Sequence, residues 1–378
     1  MIYFDNAASS HPKPESVYQN TFRFLRENGA NSGRSGHDMA VRAAEKIFET
    51  RAAVSRFFGT DAPENVVFTS GATHALNLTL YGLLRPGDHV ITTTLEHNSV
   101  LRPLYALQRR GVRLDVITPD LYDDAITVRR IRQKIRKETR SIVMTQCSNV
   151  CGKILPVRAV AELKTNRIRL VVDGSQGAGS IPTDLKDLGA DYYCAPSHKG
   201  LLGWQGAGFV ICRKDELRPL MSGGTGGDSA ARFMPSDLPD RLEAGTLPAP
   251  AIVSLGEGIR FLEKRGVENV YQDKRRLTDE LFFALKEISG VHLYADAARV
   301  SSPGVLCFNL GDVSSAEAAD ALNARGVAVR GGLHCAPLFH KMMGTERRGM
   351  VRVSLGCATR PEEIKRLLQI LREYLQKK

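Results

Sequence analysis

The sequence lacks the features that would place this protein in a membrane or outside the cell. No run of about 18 apolar residues occurs in its 378 residues, so no segment is predicted to span a membrane. The first residues, from Met1 to Asn6, show no basic region followed by an apolar stretch, which argues against a secretory signal. We therefore expect a cytoplasmic protein.

Cysteines with metal-ligand spacing are also missing. The chain has seven cysteines, an odd number, and no CxxC pair. Cys147 and Cys151 are close in sequence but lack a second pair of ligands at a zinc-like distance. The pattern argues against a disulfide framework and a structural metal site, and it is typical of a reducing compartment.

Lysines and arginines outnumber acidic residues, but the excess basic residues are spread along the chain. The net charge of +11 would suit a nucleic acid or an anionic substrate. The densest basic groups lie at 129–137 and 274–276, and Ile131 and Ile135 are interleaved in the first of them. Both groups are therefore predicted to be solvated helix faces, and we expect no nucleic-acid partner.

The sequence does contain an alternation of short apolar runs and amphipathic stretches. Its length allows two lobes, and its 43% hydrophobic content is normal for a globular protein. Amphipathic stretches such as 41–58 separate the apolar runs, which indicates an α/β domain with a mostly parallel sheet covered by helices on both faces. Strands are predicted at 66–69, 89–92, 141–144, 170–172, 192–194 and 208–211.

After about residue 255 the pattern changes. A long helical pattern over 259–285 leads to short strands, and a last helix is predicted to open on the capping box Thr359 to Glu362. These features indicate a small α+β lobe, with strands near 305–308, 327–329 and 351–353. We predict a large domain over 15–255, and a small C-terminal domain over 256–378 that includes residues 1–14. The glycine-rich stretch 222–227 is predicted to be a loop.

The candidate chemical groups follow strand ends, where open α/β sheets place their ligands. Asp173 ends an apolar strand and would serve as a helix cap, a metal ligand or a cofactor partner. Lys199, flanked by small residues, suits a Schiff-base amine, with an exposed surface lysine as the ordinary alternative. The turn 70–73 leads into a helix whose N-terminus suits a phosphate. His97 offers a flat imidazole to lie on a cofactor ring.

Together these groups suit pyridoxal 5'-phosphate (PLP), which needs a lysine, a carboxylate beside its ring nitrogen and a phosphate cradle. In this order they resemble the cysteine desulfurase and selenocysteine lyase branch of the class V aminotransferase family, over nearly the whole chain. The resemblance implies an aspartate aminotransferase-like, PLP-dependent transferase fold, in which a large domain with a mostly parallel, seven-stranded type of sheet carries a small C-terminal α+β domain. The most specific segments are Leu95-Glu96-His97-Asn98-Ser99, Ser148-Asn149-Val150, Asp173-Gly174-Ser175-Gln176 and His198-Lys199.

The resemblance implies a cofactor role for several residues. Lys199 would bind PLP covalently, Asp173 would pair with the pyridine nitrogen, Gln176 would bond the phenolic oxygen and His97 would stack on the ring. The residues implied at the phosphate are Ala72, Thr73, Ser197, His198 and, from a second subunit, Thr246. A homodimer with shared active sites follows from the last of these.

The resemblance also implies a substrate site. Asn149 and Arg352 would take the substrate's α-carboxylate, because a guanidinium meets a carboxylate with two parallel hydrogen bonds. Arg34 matches a motif that lines the family's pocket. Pro196 departs from the serine of many relatives, so one phosphate contact is lost or moved to Ser197. Cys147 and Trp204 are departures too, and together they suggest a divergent branch.

Cys335 decides among the reactions that the fold supports. A buried structural cysteine is the ordinary alternative, but glycines, His334 and Arg330 surround this one, which suits an accessible thiolate of low pKa. The segment resembles the catalytic loop of the short-loop desulfurases. The implied reaction converts L-cysteine to L-alanine: Lys199 takes the Cα proton, and Cys335 attacks the sulfur and keeps it as a persulfide for an acceptor protein or thiol.

Other activities stay open at this point. A selenocysteine lyase acting on L-selenocysteine would use the same residues, and a class V aminotransferase or epimerase would leave Cys335 unused. A catalytically silent PLP-binding scaffold is the non-enzymatic alternative. Iron–sulfur cluster assembly and thio-modification are the family's usual destinations for the sulfur.

Overall fold

The computed structural model describes residues 1–33, 36–227 and 230–376. The strands are β1 (Ile2–Tyr3), β2 (Val66–Thr69), β3 (His89–Thr93), β4 (Arg113–Ile117), β5 (Thr139–Thr145), β6 (Arg169–Asp173), β7 (Tyr192–Pro196), β8 (Gly208–Cys212), β9 (Val291–Leu293), β10 (Val305–Leu310), β11 (Val327–Ala328), β12 (Arg330–Gly332) and β13 (Met350–Ser354). The helices are α1 (Glu15–Asn28), α2 (Asp38–Phe57), α3 (Ala72–Leu83), α4 (Asn98–Gln108), α5 (Asp124–Lys134), α6 (Val157–Ala161), α7 (Leu185–Leu188), α8 (Ala249–Arg265), α9 (Val267–Lys286), α10 (Ser315–Asn323), α11 (Pro337–Met342) and α12 (Pro361–Leu375).

The central sheet has seven strands in the order β2-β8-β7-β6-β5-β3-β4. Strand β8 runs antiparallel to both of its neighbours, and the others are parallel to one another. The predicted mostly parallel sheet is therefore confirmed, as are its six predicted strands. The prediction missed β4, a partly exposed edge strand whose residues Arg113 and Asp115 interrupt the apolar run.

Both faces of this sheet are covered, which explains why its strands are continuously apolar. In β6, Leu170 and Val172 face one core and Val171 faces the other. In β5, Met144 faces the first of these cores and Val143 faces the second. Each such fully buried aliphatic side chain contributes roughly 1.5–3 kcal/mol, so these strands are held at the centre of the large lobe.

A second, antiparallel sheet of the order β12-β13-β10-β9 forms the small lobe with its own core, so the predicted α+β lobe is confirmed. Strand β1 pairs with β11, and Phe4 is fully buried in this core, so the first residues pack with the C-terminal ones. Helix α12 buries the predicted apolar face, including Leu367 and Leu371.

The predicted single helix over 259–285 is wrong. Gly266, at φ +82°, ends α8 and precedes α9, and its N–H donates to Leu262 O at 2.8 Å. A left-handed residue of this kind stops a helix and favours glycine. Helix α8 also runs through residue 255, where we place the end of the large domain, so the domain boundary stays a prediction.

The predicted capping box is wrong by one residue. Helix α12 begins at Pro361, and the residue before it, Arg360, is extended, because proline disfavours a helical conformation in its predecessor. The N–H of Arg360 donates to Glu363 Oε2 at 2.8 Å. The hydroxyl of Thr359 instead accepts from Gly356 N at 2.9 Å.

One of the two basic groups differs from its prediction. Arg129 and Arg130 are exposed on α5 while Ile131 is buried, as expected for a solvated helix face. Lys274 on α9 instead turns inward and donates to Ser180 Oγ at 2.9 Å. Residues 222–227 lie outside helices and strands, as predicted. Within the described residues, no helix is long and apolar enough to cross a membrane.

Candidate active site

Most of the predicted site residues meet in one cleft at the carboxyl ends of the central strands. The cleft has an internal volume of about 270 Å³, near the lower end of the range for ligand pockets. The predicted residues that line it are Ala72, Thr73, His97, Asn149, Asp173, Gln176, His198 and Lys199. Strand ends and helix starts that are far apart in sequence thus converge on a single site.

Asp173 and Lys199 supply its opposite charges. Asp173 ends β6, is 2% exposed, and accepts from Ser175 N at 2.9 Å through Oδ1. Lys199 lies in the turn after β7. Burial lowers the pKa of Lys199 to about 8, the charge of Asp173 opposes that change, and Arg352 and Arg330 add to it. At neutral pH about a tenth of this amine is therefore uncharged and nucleophilic, far more than for an exposed lysine.

His97 is held with its ring orientation fixed. It is the N-cap of α4, and its Nδ1 lies 3.0 Å from the N–H of Ser99 and 2.8 Å from the Ser99 hydroxyl. Burial lowers the pKa of His97 to about 4, so the imidazole is neutral at physiological pH. A neutral ring held in this way suits stacking on a flat heterocycle.

The turn before α3 offers unpaired backbone donors. Gly71 is its N-cap, and the first N–H bonded within the helix is that of Ala75, which donates to Gly71 O at 3.0 Å. The preceding N–H groups, from Ala72 to His74, are the orphan donors of a helix N-terminus, which attracts a phosphate. Nearby, His198 Nδ1 is buried without a partner among the described residues. This end of the cleft fits a phosphate group.

Two of the residues predicted at the phosphate, Ser197 and Thr246, do not line the cleft. Ser197 is fully buried and its Oγ lies against Gly203, where an added Cβ would come within 2.1 Å of it. It does not line the cleft, whereas Pro196 does. Thr246 is exposed and outside the cleft of its own chain. Arg34 lies outside the described residues.

The Cys335 loop is strained and anchored beside the cleft. His334 and Cys335 have φ of +50° and +55°, a conformation that costs a non-glycine residue about 1–3 kcal/mol. Asn98 N donates to Cys335 O, and Asn149 Nδ2 donates to His334 O, each at 2.7 Å. Arg330 Nη2 lies 3.9 Å from Cys335 Sγ. Two hydrogen bonds to backbone carbonyls therefore hold the half-buried thiol beside the cleft, one of them from Asn149, which lines it.

Arg352 on β13 is 1% exposed and already partly occupied. Its Nη1 donates to Asn149 O at 3.2 Å, its Nη2 donates to Asp5 Oδ1 at 2.6 Å, and its Nε is buried without a partner among the described residues. Sequence reasoning gave Asp5 no role. The local signal for it is weak, because the two residues are 347 positions apart.

Glu96 was also missed. It is fully buried, and its Oε1 accepts from Thr93 Oγ1 at 2.7 Å and from Thr145 N at 3.0 Å. Its Oε2 has no partner among the described residues, and burial raises its pKa to about 8. A neutral carboxylic acid therefore stands directly before His97. The signal in the sequence was a glutamate shortly after a buried strand, between Leu95 and His97.

Residues 2–367 match the model of the family described as aminotransferase class-V. This chain belongs to the class V aminotransferase family. A probable cysteine desulfurase of Methanothermobacter thermautotrophicus is 32% identical, over 98% of this chain and 94% of the relative. A cysteine desulfurase of Pectobacterium atrosepticum is 31% identical, over 97% and 91%. The apo structure of a cysteine desulfurase from Thermococcus onnurineus NA1 aligns with a TM-score of 0.93 and 29% identity, covering 100% of this chain and 95% of that one.

Class V aminotransferases use PLP, and the cleft of this family member fits that cofactor. The buried carboxylate of Asp173 would suit the ring nitrogen, the neutral ring of His97 the ring face, and the free N–H groups at the start of α3 the phosphate. The predicted PLP-dependent transferase fold is confirmed.

Proposed function

We propose that this protein is a PLP-dependent cysteine desulfurase that converts L-cysteine to L-alanine and keeps the sulfur as a persulfide on Cys335. One observation carries the proposal: the loop that bears Cys335 is hydrogen-bonded to Asn98 and Asn149, beside the cleft that Asn149 lines together with Lys199 and Asp173. An aminotransferase has no need of a thiol there. The relatives named as cysteine desulfurases support the assignment.

PLP would be held by the groups that line the cleft. Lys199 would bind it covalently, Asp173 would pair with its ring nitrogen, and His97 would lie on its face. Gln176, whose Nε2 also donates to Ala7 O at 3.0 Å, would bond the phenolic oxygen. The bound cofactor supplies an electron sink for negative charge at the substrate's Cα. The phosphate would be held by the start of α3, Thr73 and His198.

The substrate's α-carboxylate would be held by Arg352 and Asn149. Arg352 still has free N–H groups, because Asp5 and the Asn149 carbonyl each take only one. The carboxylate would share or displace Asp5. With Cα fixed in this way, the neutral amine of Lys199 would accept the Cα proton, which its lowered pKa favours.

Sulfur transfer would use the thiolate of Cys335. It attacks the sulfur of the substrate, so one S–S bond forms while the bond from Cβ to sulfur breaks. The electron pair of the broken bond stays with the carbon fragment, which takes up protons and leaves as alanine. Arg330 Nη2, which lies 3.9 Å from Sγ, would contact the attacking sulfur. The persulfide then passes to an acceptor thiol or protein.

A second copy of the chain would complete the phosphate site. Thr246 is exposed and lies outside the cleft of its own chain, which is consistent with a residue that serves the cleft of the other subunit. Sedimentation of the active protein tests this homodimer: an active monomer would contradict it.

The function is tested by measuring sulfide and alanine release from L-cysteine in the presence of a reducing thiol. The wild type should release both in equal amounts, and Cys335→Ala should lose sulfide release while it still binds PLP. Cys212→Ala is the matched control, because Cys212 is a buried thiol of β8 outside the cleft. It should keep the activity.

Two results would redirect the assignment. A Cys335→Ala variant as active as the wild type would rule out the persulfide mechanism. A wild type that leaves L-cysteine intact, but turns over L-selenocysteine or another amino acid, would indicate a lyase, epimerase or aminotransferase in the same cleft.

A further inference from the structure

A second, smaller cavity lies on the other side of Lys199, where the two lobes meet. It has about 30 Å³ of internal space, enough for one or two waters or one ion of similar size. Its wall includes Ser180 from the large lobe, Lys274 from α9 and Cys357 from the turn after β13. No step of the proposed reaction uses these three residues.

Lys274 is directed into this cavity by the local backbone. Its Nζ donates to Ser180 Oγ at 2.9 Å, and its side chain passes over Gly304. A Cβ on Gly304 would lie 2.6 Å from Lys274 Cε, and the residue has φ +112°, so a glycine is required there. Although Lys274 as a whole is half-buried, burial of its ammonium lowers its pKa to about 8. The group is still mostly charged at neutral pH.

A second ammonium is bonded to Ser10, another residue of the cavity wall. Lys13, in the segment before α1, donates from Nζ to Ser10 O at 3.1 Å and to Ser10 Oγ at 3.0 Å. Burial lowers the pKa of Lys13 to about 8, as it does that of Lys274, and Cys357 opposes this lowering in both lysines. Burial in turn raises the pKa of the Cys357 thiol, so the thiol stays neutral and does not balance the two charges.

The charges in this region are therefore unbalanced. Within the described residues, neither Lys13 nor Lys274 has a carboxylate within 4.0 Å. Buried cations are costly unless an anion or several hydrogen bonds compensate them. Each ammonium also keeps at least one N–H beyond those bonded to Ser180 or Ser10. The Ser180 hydroxyl, which accepts from Lys274, has its own hydrogen free to donate.

We propose that this cavity binds one small monovalent anion of halide size. Lys274 in the wall and Lys13, bonded to the wall residue Ser10, supply the charge. The hydroxyl of Ser180 and the thiol of Cys357 supply further donors. The volume excludes a phosphate or a sulfate. The anion joins α9 of the small lobe to the large lobe behind Lys199, so it strengthens the packing of the two lobes. This site is separate from the reaction, and its test does not depend on activity.

The direct test uses bromide as the probe. Crystals of the PLP-loaded wild type are soaked in sodium bromide, and an anomalous difference peak is expected between Lys274 Nζ and Cys357 Sγ. Crystals of Lys274→Met, soaked in the same way, should lack the peak. A wild-type cavity without a peak, or a peak of equal height in Lys274→Met, would overturn the proposal.

Thermal unfolding tests the same site in solution. The PLP-loaded protein is compared in sodium chloride and in sodium gluconate, at equal ionic strength, because gluconate is too large for the cavity. Chloride at about a hundred times its dissociation constant should raise the melting temperature of the wild type by about 2–4 °C. Lys274→Met should lose this rise, while Lys264→Met, which changes an exposed lysine of α8, should keep it.

A second variant, Ser180→Ala, keeps the proposal testable if Lys274→Met fails to fold. Ser180→Ala removes one neutral donor and leaves both lysines in place, so it should respond only at higher chloride concentrations. If the wild type and Ser180→Ala respond identically, or if Lys264→Met loses the rise as fully as Lys274→Met, the anion acts elsewhere and the proposal fails.

Discussion

Arg352 donates from Nη2 to Asp5 Oδ1 across 2.6 Å, and the guanidinium is 1% exposed. The ion pair joins the strand that carries the proposed carboxylate-binding arginine to the first residues of the chain. Asp5 is therefore a competitor: a substrate carboxylate that approaches Arg352 meets a charge that is already compensated. Asp5 also stabilises the buried cation when no substrate is present.

Asp5→Asn should separate these two effects. We expect a several-fold lower KM for L-cysteine with a smaller change in kcat, because the competing charge is gone. The free energy of unfolding should fall by about 1–3 kcal/mol, since the buried guanidinium loses its anionic partner. Steady-state kinetics and chemical denaturation measure the two effects. Asp312→Asn, the same change at an exposed acid, should alter neither; an unchanged KM in Asp5→Asn would show that Asp5 does not compete.

Glu96→Gln tests the neutral acid beside His97. An unfolded glutamate has a pKa near 4.3, whereas burial raises the pKa of Glu96 to about 8 in the fold. Between these values the folded protein holds one more proton than the unfolded chain, so the free energy of unfolding falls as pH rises. Glutamine does not titrate. The stability of Glu96→Gln relative to wild type should therefore grow by a few kcal/mol from about pH 4 to about pH 8.

Chemical denaturation across that pH range measures the difference. Glu64→Gln, at an exposed position of the short helical turn before β2, is the control and should track the wild type. A Glu96→Gln curve parallel to that of the wild type would mean that Glu96 is ionised in the folded protein.

Much of the central sheet and its site was predictable because the signals are local. Strands buried on both faces, such as β5 and β6, appear in the sequence as short apolar runs, and this pattern does not depend on which strands pair with them. Asp173 and Lys199 follow such strands, so their place at the carboxyl edge follows from the topology. Gly266 was a local signal for the end of a helix, but the apolar periodicity on either side of it favoured one continuous helix.

The remaining features depend on partners that are distant in sequence. Asp5 has a role only because the residues after β1 lie beside β13, where Asp5 forms a bridge with Ser354. Lys274 reads as part of a basic run, and its inward path depends on a glycine thirty positions away, Gly304. Ser197 follows Pro196 and has the chemistry of a phosphate ligand, but its side chain packs on Gly203 instead. None of these contacts produces a periodic pattern in the neighbouring sequence, so none could be predicted from that sequence.

Ser99→Ala should loosen the ring of His97. The variant removes the hydroxyl that lies 2.8 Å from Nδ1 and keeps the backbone N–H at 3.0 Å. A lost hydrogen bond of about 1 kcal/mol predicts a fall in kcat of about five-fold, with a shift in the absorbance of the bound cofactor. Ser222→Ala, in the exposed glycine-rich loop, should change neither. A normal kcat in Ser99→Ala would show that the backbone N–H alone orients the ring.

The reactivity of Lys199 should rise at a lower pH than that of an exposed lysine, because its surroundings in the fold lower its pKa. Only the uncharged amine reacts with an aldehyde, and burial lowers the pKa of Lys199 to about 8. Reductive methylation of the cofactor-free protein with formaldehyde and cyanoborohydride, followed residue by residue by mass spectrometry, should therefore rise about tenfold for each pH unit below 8 and level off above it. Asp173→Asn should move this profile to lower pH, because the carboxylate raises the pKa of Lys199. Lys264, exposed on α8, is the internal reference for the reagent, so a Lys199 profile that coincides with that of Lys264 would show that the cleft does not activate its lysine.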